Sequence, residues 1–256
     1  MKKHTIFTIL FLTSIQTFAQ FPEASVSNGI IEARLYLPDS QSGFYRGTRF
    51  DWAGIVSSLT YGGHEYFGQW YAQHDPLKHD AITGPVEAFD PIGYDDAVPG
   101  STFLKIGIGT LRKVNTDPYR FSRPFEIVNA GTWKVKSKKN RVEFTHELQD
   151  ETGYSYIYKK TLKLVKGKPE LILEHSLKNT GKKTIETNVF DHNFFVMDNQ
   201  TTGPDFSVTL PFEIKSEAAK KELITFSGKQ MRYLRDLKKG ESTMEYPKGL
   251  GGESVG

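Results

Sequence analysis

Seven histidines are the residues of this chain best suited to proton transfer, because an imidazole with an ordinary pKa of about 6.5 gives and takes a proton near neutrality. Two of them, His74 and His79, fall in a loop with Asp75, Asp80, Asp90, Asp95 and Asp96. Imidazole and carboxylate oxygen are the donors that hold calcium or a transition metal. Their spacing here fits no tight ligand motif, and Asp-Pro and Asp-Asp pairs commonly start turns and stay solvated, so no metal is expected. The chain has no cysteine, which excludes thiolate metal sites and a disulfide framework. Gly107-Ile108-Gly109-Thr110-Leu111 lacks the third spaced glycine of a phosphate loop and reads as part of a strand over 103–111, so nucleotide binding is set aside and no cofactor is expected.

The elements that must position these groups are strands. Ile31, Ala33, Leu35 and Leu37 alternate with Glu32, Arg34 and Tyr36, the period of a half-buried strand. The same alternation returns at Val142, Phe144, His146 and Leu148, at Tyr154, Tyr156 and Tyr158, and at Leu171, Leu173, His175 and Leu177. His146 and His175 therefore share faces with apolar residues and read as core or cleft-floor histidines. Lys139-Asn140, Glu151-Thr152-Gly153, Lys166-Gly167-Lys168-Pro169 and Asn179-Thr180-Gly181-Lys182 supply the turns. Strand after strand with short turns predicts an all-β antiparallel sandwich. Only 213–223, with Ala218 and Ala219, is helix-friendly, and it is too short and polar to organise a domain. Residues 72–102 break the rhythm with Asp-Pro, Gly-Pro and Pro-Gly pairs and read as a long functional loop.

Composition narrows the class further. The 256 residues are 38% hydrophobic and 25% charged, enough for a buried core and too apolar for disorder. Met1-Lys2-Lys3-His4, an apolar run from Ile6 to Leu12 and the exit Thr17-Phe18-Ala19-Gln20 have the layout of a secretory signal peptide over 1–20. Thr8, Thr13 and Ser14 interrupt that run, so no membrane span is expected. Export places the protein outside the cell or in the periplasm. The formal charge of +3 includes Lys2 and Lys3, and Lys136-Ser137-Lys138-Lys139 and Lys182-Lys183 sit in expected turns; nothing asks for nucleic acid. No linker divides 21–256, which reads as one domain.

Within the strand rhythm, residues 171–195 resemble the segment of aldose 1-epimerases that carries their catalytic histidine. The family's Asn-His-x-Tyr-Phe-Asn-Leu-like motif is matched here by Asp191-His192-Asn193-Phe194-Phe195-Val196-Met197. The preceding strands with Tyr154-Ser155-Tyr156-Ile157-Tyr158, and the early stretch Tyr45-Arg46-Gly47-Thr48-Arg49-Phe50-Asp51-Trp52, are similar to strands of the same family, and the resemblance is best over 133–195. Val196 replaces a polar residue of the motif. The family's glutamate base lies in later strands that map onto no position here, so the domain is expected to be incomplete at its C-terminus; Glu241, Glu245 and Glu253 read as a tail.

The resemblance implies a galactose mutarotase-like sandwich holding a mono- or oligosaccharide in a cleft. Interconverting anomers needs an acid and a base facing the sugar together, and the resemblance makes His192 the acid. Aromatic faces against the C–H side of a pyranose, with charged groups on its hydroxyls, would hold it. Arg46, Arg49, Trp52, Trp70, His74 at the rim, Arg112 and Asp191 are the candidates. Several have a plainer reading: His192 satisfied by Asp191, Arg46, Arg49 and Asp51 as a local ion-paired strand start, and Trp52 as core. A sandwich that binds sugar without turnover is the alternative expectation, and an accessory domain of a polysaccharide lyase or hydrolase is a third, by fold analogy.

Overall fold

A computed structural model describes residues 21–215 and 222–238. The leader expected over 1–20, the late glutamates and residues 216–221 of the helix-friendly stretch lie outside the described residues. Strands β1 (Glu23–Ser27), β2 (Ile31–Tyr36), β3 (Ile55–Tyr61) and β4 (His64–Glu65) form one antiparallel sheet in chain order. Then come β5 (Gly84–Phe89) and a three-stranded sheet of β6 (Thr102–Lys105), β7 (Gly109–Arg112) and β8 (Ile127–Asn129). The long meander is β9 (Thr132–Lys138), β10 (Arg141–Gln149), β11 (Ser155–Leu164) and β12 (Leu171–Asn179), each strand beside its chain neighbour. β13 (Val189–Phe194) returns to pair with β5, and β14 (Ser207–Thr209), β15 (Ile224–Ser227) and β16 (Gln230–Tyr233) form a small sheet in the order β14, β16, β15. All ladders are antiparallel, as an all-β sandwich requires. Among the described residues, no helix is long and apolar enough to cross a membrane.

Alternation in sequence becomes alternation in burial. Along β10, Val142, Phe144, His146 and Leu148 are buried while Arg141, Glu143, Thr145 and Glu147 are not. Val142, Phe144, Leu162 and Leu164 from the meander pack against Val26, Ile31, Ala33, Leu35 and Val56 from the first sheet, each side chain larger than alanine contributing about 1.5–3 kcal/mol on leaving water. A second core around Phe50, Trp52, Ile82, Val86, Phe103 and Leu111 fills the space under β5.

Two expectations are corrected. The single strand over 103–111 is a hairpin: the chain reverses at Gly107, φ 75°, where a Cβ would stand 2.3 Å from Asp51 Oδ1. Only glycine fits that approach. The loop over 72–102 contains a strand, β5, whose Pro85 and buried Glu87 hide its apolar pattern.

Candidate functional site

β13 carries two unlike faces because consecutive side chains point to opposite sides of a strand. His192 lies opposite Val86 and Phe194 opposite Gly84 in the β5 ladder. The ring of Phe194 stacks on His192 at 4.0 Å and on Trp70 at 5.6 Å, each at 10°. Phe50 meets His192 and Phe194 edge-on at 5.8 and 5.6 Å. The Trp70 indole N–H donates to Ile82 O at 3.0 Å, which fixes a ring that stays 38% exposed. His192, Phe194 and Trp70 thus make a parallel aromatic shelf.

Arg49 closes one end of it. Its Cζ lies 4.5 Å from the Phe50 ring centroid and 4.1 Å from that of Phe121, within cation–π range. His79 meets Phe121 at 5.8 Å. Burial, and then the Arg49 charge, bring the His192 imidazole down to about 4, so it is neutral at pH 7. Burial also lowers His79, with Asp80 opposing and Arg49 and Lys78 assisting. Beneath, the buried Lys105 amine donates to Phe89 O, and burial brings it down to about 7, with Asp90 opposing and Arg49 assisting. The Tyr119 hydroxyl close by is buried without a hydrogen-bond partner, and burial raises it.

The opposite face of β13 looks elsewhere. Asn193 and Phe195 line an open apolar groove of about 380 Å³ with Leu59, Phe67, Leu171 and Leu173. Asp191, exposed, stands across the ladder from Glu87. Glu87 belongs to an interior ion network: Lys160 Nζ contacts its carboxylate, donates to Ala53 O at 2.8 Å and lies 3.4 Å from Asp51 Oδ2. The Tyr158 hydroxyl donates to Asp51 Oδ2 at 2.9 Å, and His175 Nε2 lies 2.9 Å from Glu87 Oε1. Burial raises Asp51 to about 6 against the pull of Lys160. For Glu87 burial also pushes upward, but Lys160 and His175 outweigh it and hold the carboxyl low.

Of the residues expected at the site, the structure gathers His192, Trp70 and Arg49. Trp52 is sealed in the core, its indole N–H donating to Gly47 O at 2.9 Å. His74 stacks on Phe44 at 4.2 Å and donates to Phe44 O at 2.8 Å. Arg46 is half-buried with its Nε unpartnered, and its charge lowers Asp39 rather than any shelf residue. Arg112 is paired with Glu126 at 2.7 Å and donates to Gly100 O at 3.0 Å. Among the described residues, no group of three or more His, Asp or Glu is arranged to hold a metal.

Phe194 was recoverable from the two-residue period through His192, and Lys160 from its place among Tyr156, Tyr158, Leu162 and Leu164 on the inner face of β11. Phe50 reaches the shelf, and Phe121 reaches Arg49, from distant segments, and no spacing announces that. Comparison with family models, curated proteins and solved structures found no match.

Proposed function

We propose that the His192–Phe194–Trp70 shelf, closed by Arg49, holds a mono- or oligosaccharide outside the cytoplasm, and that the chain acts as a carbohydrate-binding sandwich. The observation that carries this reading is the exposed, hydrogen-bond-anchored Trp70 ring in parallel stack with Phe194 and His192. A pyranose presents C–H groups to such a face, and Arg49 and the His192 ring nitrogens are the polar groups that orient its hydroxyls.

Aldose 1-epimerase activity is the second reading, favoured by the position of His192 on this same face. As an acid it must carry a proton, yet burial and Arg49 keep it neutral above about pH 4. Among the described residues, the charge that shifts it is that of Arg49, and a base must stand opposite the acid. Binding without turnover therefore fits the electrostatics better.

Line-broadening of freshly dissolved α-D-glucose and α-D-galactose by NMR tests both readings in one tube. Broadening that weakens about tenfold in affinity, roughly 1.4 kcal/mol, in Trp70→Ala is the expected result. Anomer interconversion accelerated by the wild type and lost in His192→Ala moves the conclusion to the epimerase. Neither broadening nor acceleration with these sugars or their oligomers removes the sugar from the shelf.

A further inference from the structure

β12 is the outermost strand of its sheet among the described residues. It pairs with β11 through an unbroken register from Leu171 to Asn179, and no described strand pairs with its other edge. Such an edge presents unpaired N–H and C=O groups and templates pairing with another strand. Proteins usually blunt long edges with charged side chains, proline, a bulge or brevity. β12 has nine residues, no proline, no glycine and no bulge, with Ile172 38% and Leu177 39% exposed.

Ile172, Glu174, Ser176 and Lys178 share one face of the strand, and Leu171, Leu173, His175 and Leu177 share the other. Glu174 and Lys178 are equally spaced about Ser176, and neither makes an ion pair among the described residues. A twofold axis through Ser176 in an antiparallel pair sets Glu174 against the partner's Lys178 and Lys178 against the partner's Glu174. Opposite charges directly across a ladder stabilise it, and like charges there oppose it. The same register faces His175 with the partner's Leu177 and Leu173 with the partner's Asn179. The strand is therefore self-complementary, which is the condition for an isologous contact.

We propose that β12 pairs antiparallel with β12 of a second copy of this chain about Ser176, joining two four-stranded sheets into one across a twofold axis. Charge reversal decides it independently of any sugar. Sedimentation velocity and light scattering over about 1–100 µM, around an affinity typical of modest interfaces, will show a concentration-dependent dimer for the wild type. Glu174→Lys alone and Lys178→Glu alone each place like charges at both symmetric positions and will weaken the dimer at least about tenfold. The double reversal Glu174→Lys with Lys178→Glu will restore it, and mixing the two single variants will restore it as heterodimer, with circular dichroism confirming that each variant is folded. A monomeric wild type overturns the proposal, as does association that the single reversals leave unchanged or that the double reversal fails to recover.

Discussion

Lys160 is a charged amine with no exposure, and what keeps it charged is the pair of carboxylates around it. Burial alone lowers an amine, but Asp51 and Glu87 outweigh that and raise it. Gly54 makes room, since a Cβ there would stand 3.0 Å from Lys160 Cε. Lys160→Met preserves the bulk and leaves two interior carboxylates facing each other without a cation. Breaking such a network costs about 3–5 kcal/mol. Urea denaturation at pH 7 will show that loss, and the gap to wild type will narrow at pH 5 as the stranded carboxylates take up protons. A loss under about 1 kcal/mol at pH 7 would mean that the network is not held by its cation. The shelf obeys a different rule: its rings are placed by packing and by one indole hydrogen bond rather than by charge.

At the scale of elements, the shelf depends on how closely β5 crosses β3. Gly84 opens β5 at φ 88°, where a Cβ would lie 2.7 Å from Val56 N and 2.8 Å from Val56 O, and it pairs with Phe194. Gly62 has a similar φ of 62° but nothing within 4 Å. Gly62→Ala carries only the backbone penalty, about 1–2 kcal/mol. Gly84→Ala must also push β3 and β5 apart, so its cost should exceed that of Gly62→Ala by about 1–3 kcal/mol and weaken sugar binding through Phe194. Thermal melts of the two variants give the comparison, and equal costs would show that the strand crossing is loose. The elements legible in sequence were those with an uninterrupted two-residue period, such as β2, β10 and β11, because there one face meets a core and the other meets water; β12 keeps the period although most of it is exposed. β5 was hidden because both its faces are mostly buried and its buried Glu87 answers a lysine more than seventy positions away, at a separation of 73. The β6–β7 reversal was hidden because Gly107 is required by Asp51, a residue of another segment. Likewise the resemblance marked His192, while Phe50 became its neighbour, and Phe121 that of Arg49, only through the fold.

Across the whole molecule, interior titratable groups set how stability depends on pH, and His146 is the most deeply buried histidine that acts between pH 4 and 6.5. It is fully buried, stacked on Trp133 at 4.2 Å, with Nε2 donating to Ala130 O at 2.9 Å and Nδ1 accepting from the Tyr156 hydroxyl at 3.1 Å. Both ring nitrogens are satisfied in the neutral form, and burial brings the group from 6.5 down to about 4. The unfolded chain therefore binds a proton that the folded chain refuses between those values. Stability from this group is complete above pH 6.5 and is lost as pH falls toward 4, by about 3 kcal/mol at most. His192 acts in the same direction, more weakly because it is only partly buried. Asp51, raised from 3.8 to about 6, acts in the opposite direction between those two values, over most of the same window. Two histidines against one aspartate leave a net loss of stability on acidification from pH 6.5 to 4. Urea midpoints taken across that range will fall, and His146→Gln, which keeps a donor for Ala130 O, will flatten the slope by about one proton while lowering stability modestly at pH 7.5. A variant slope equal to that of the wild type would place the proton uptake elsewhere and remove His146 as its source.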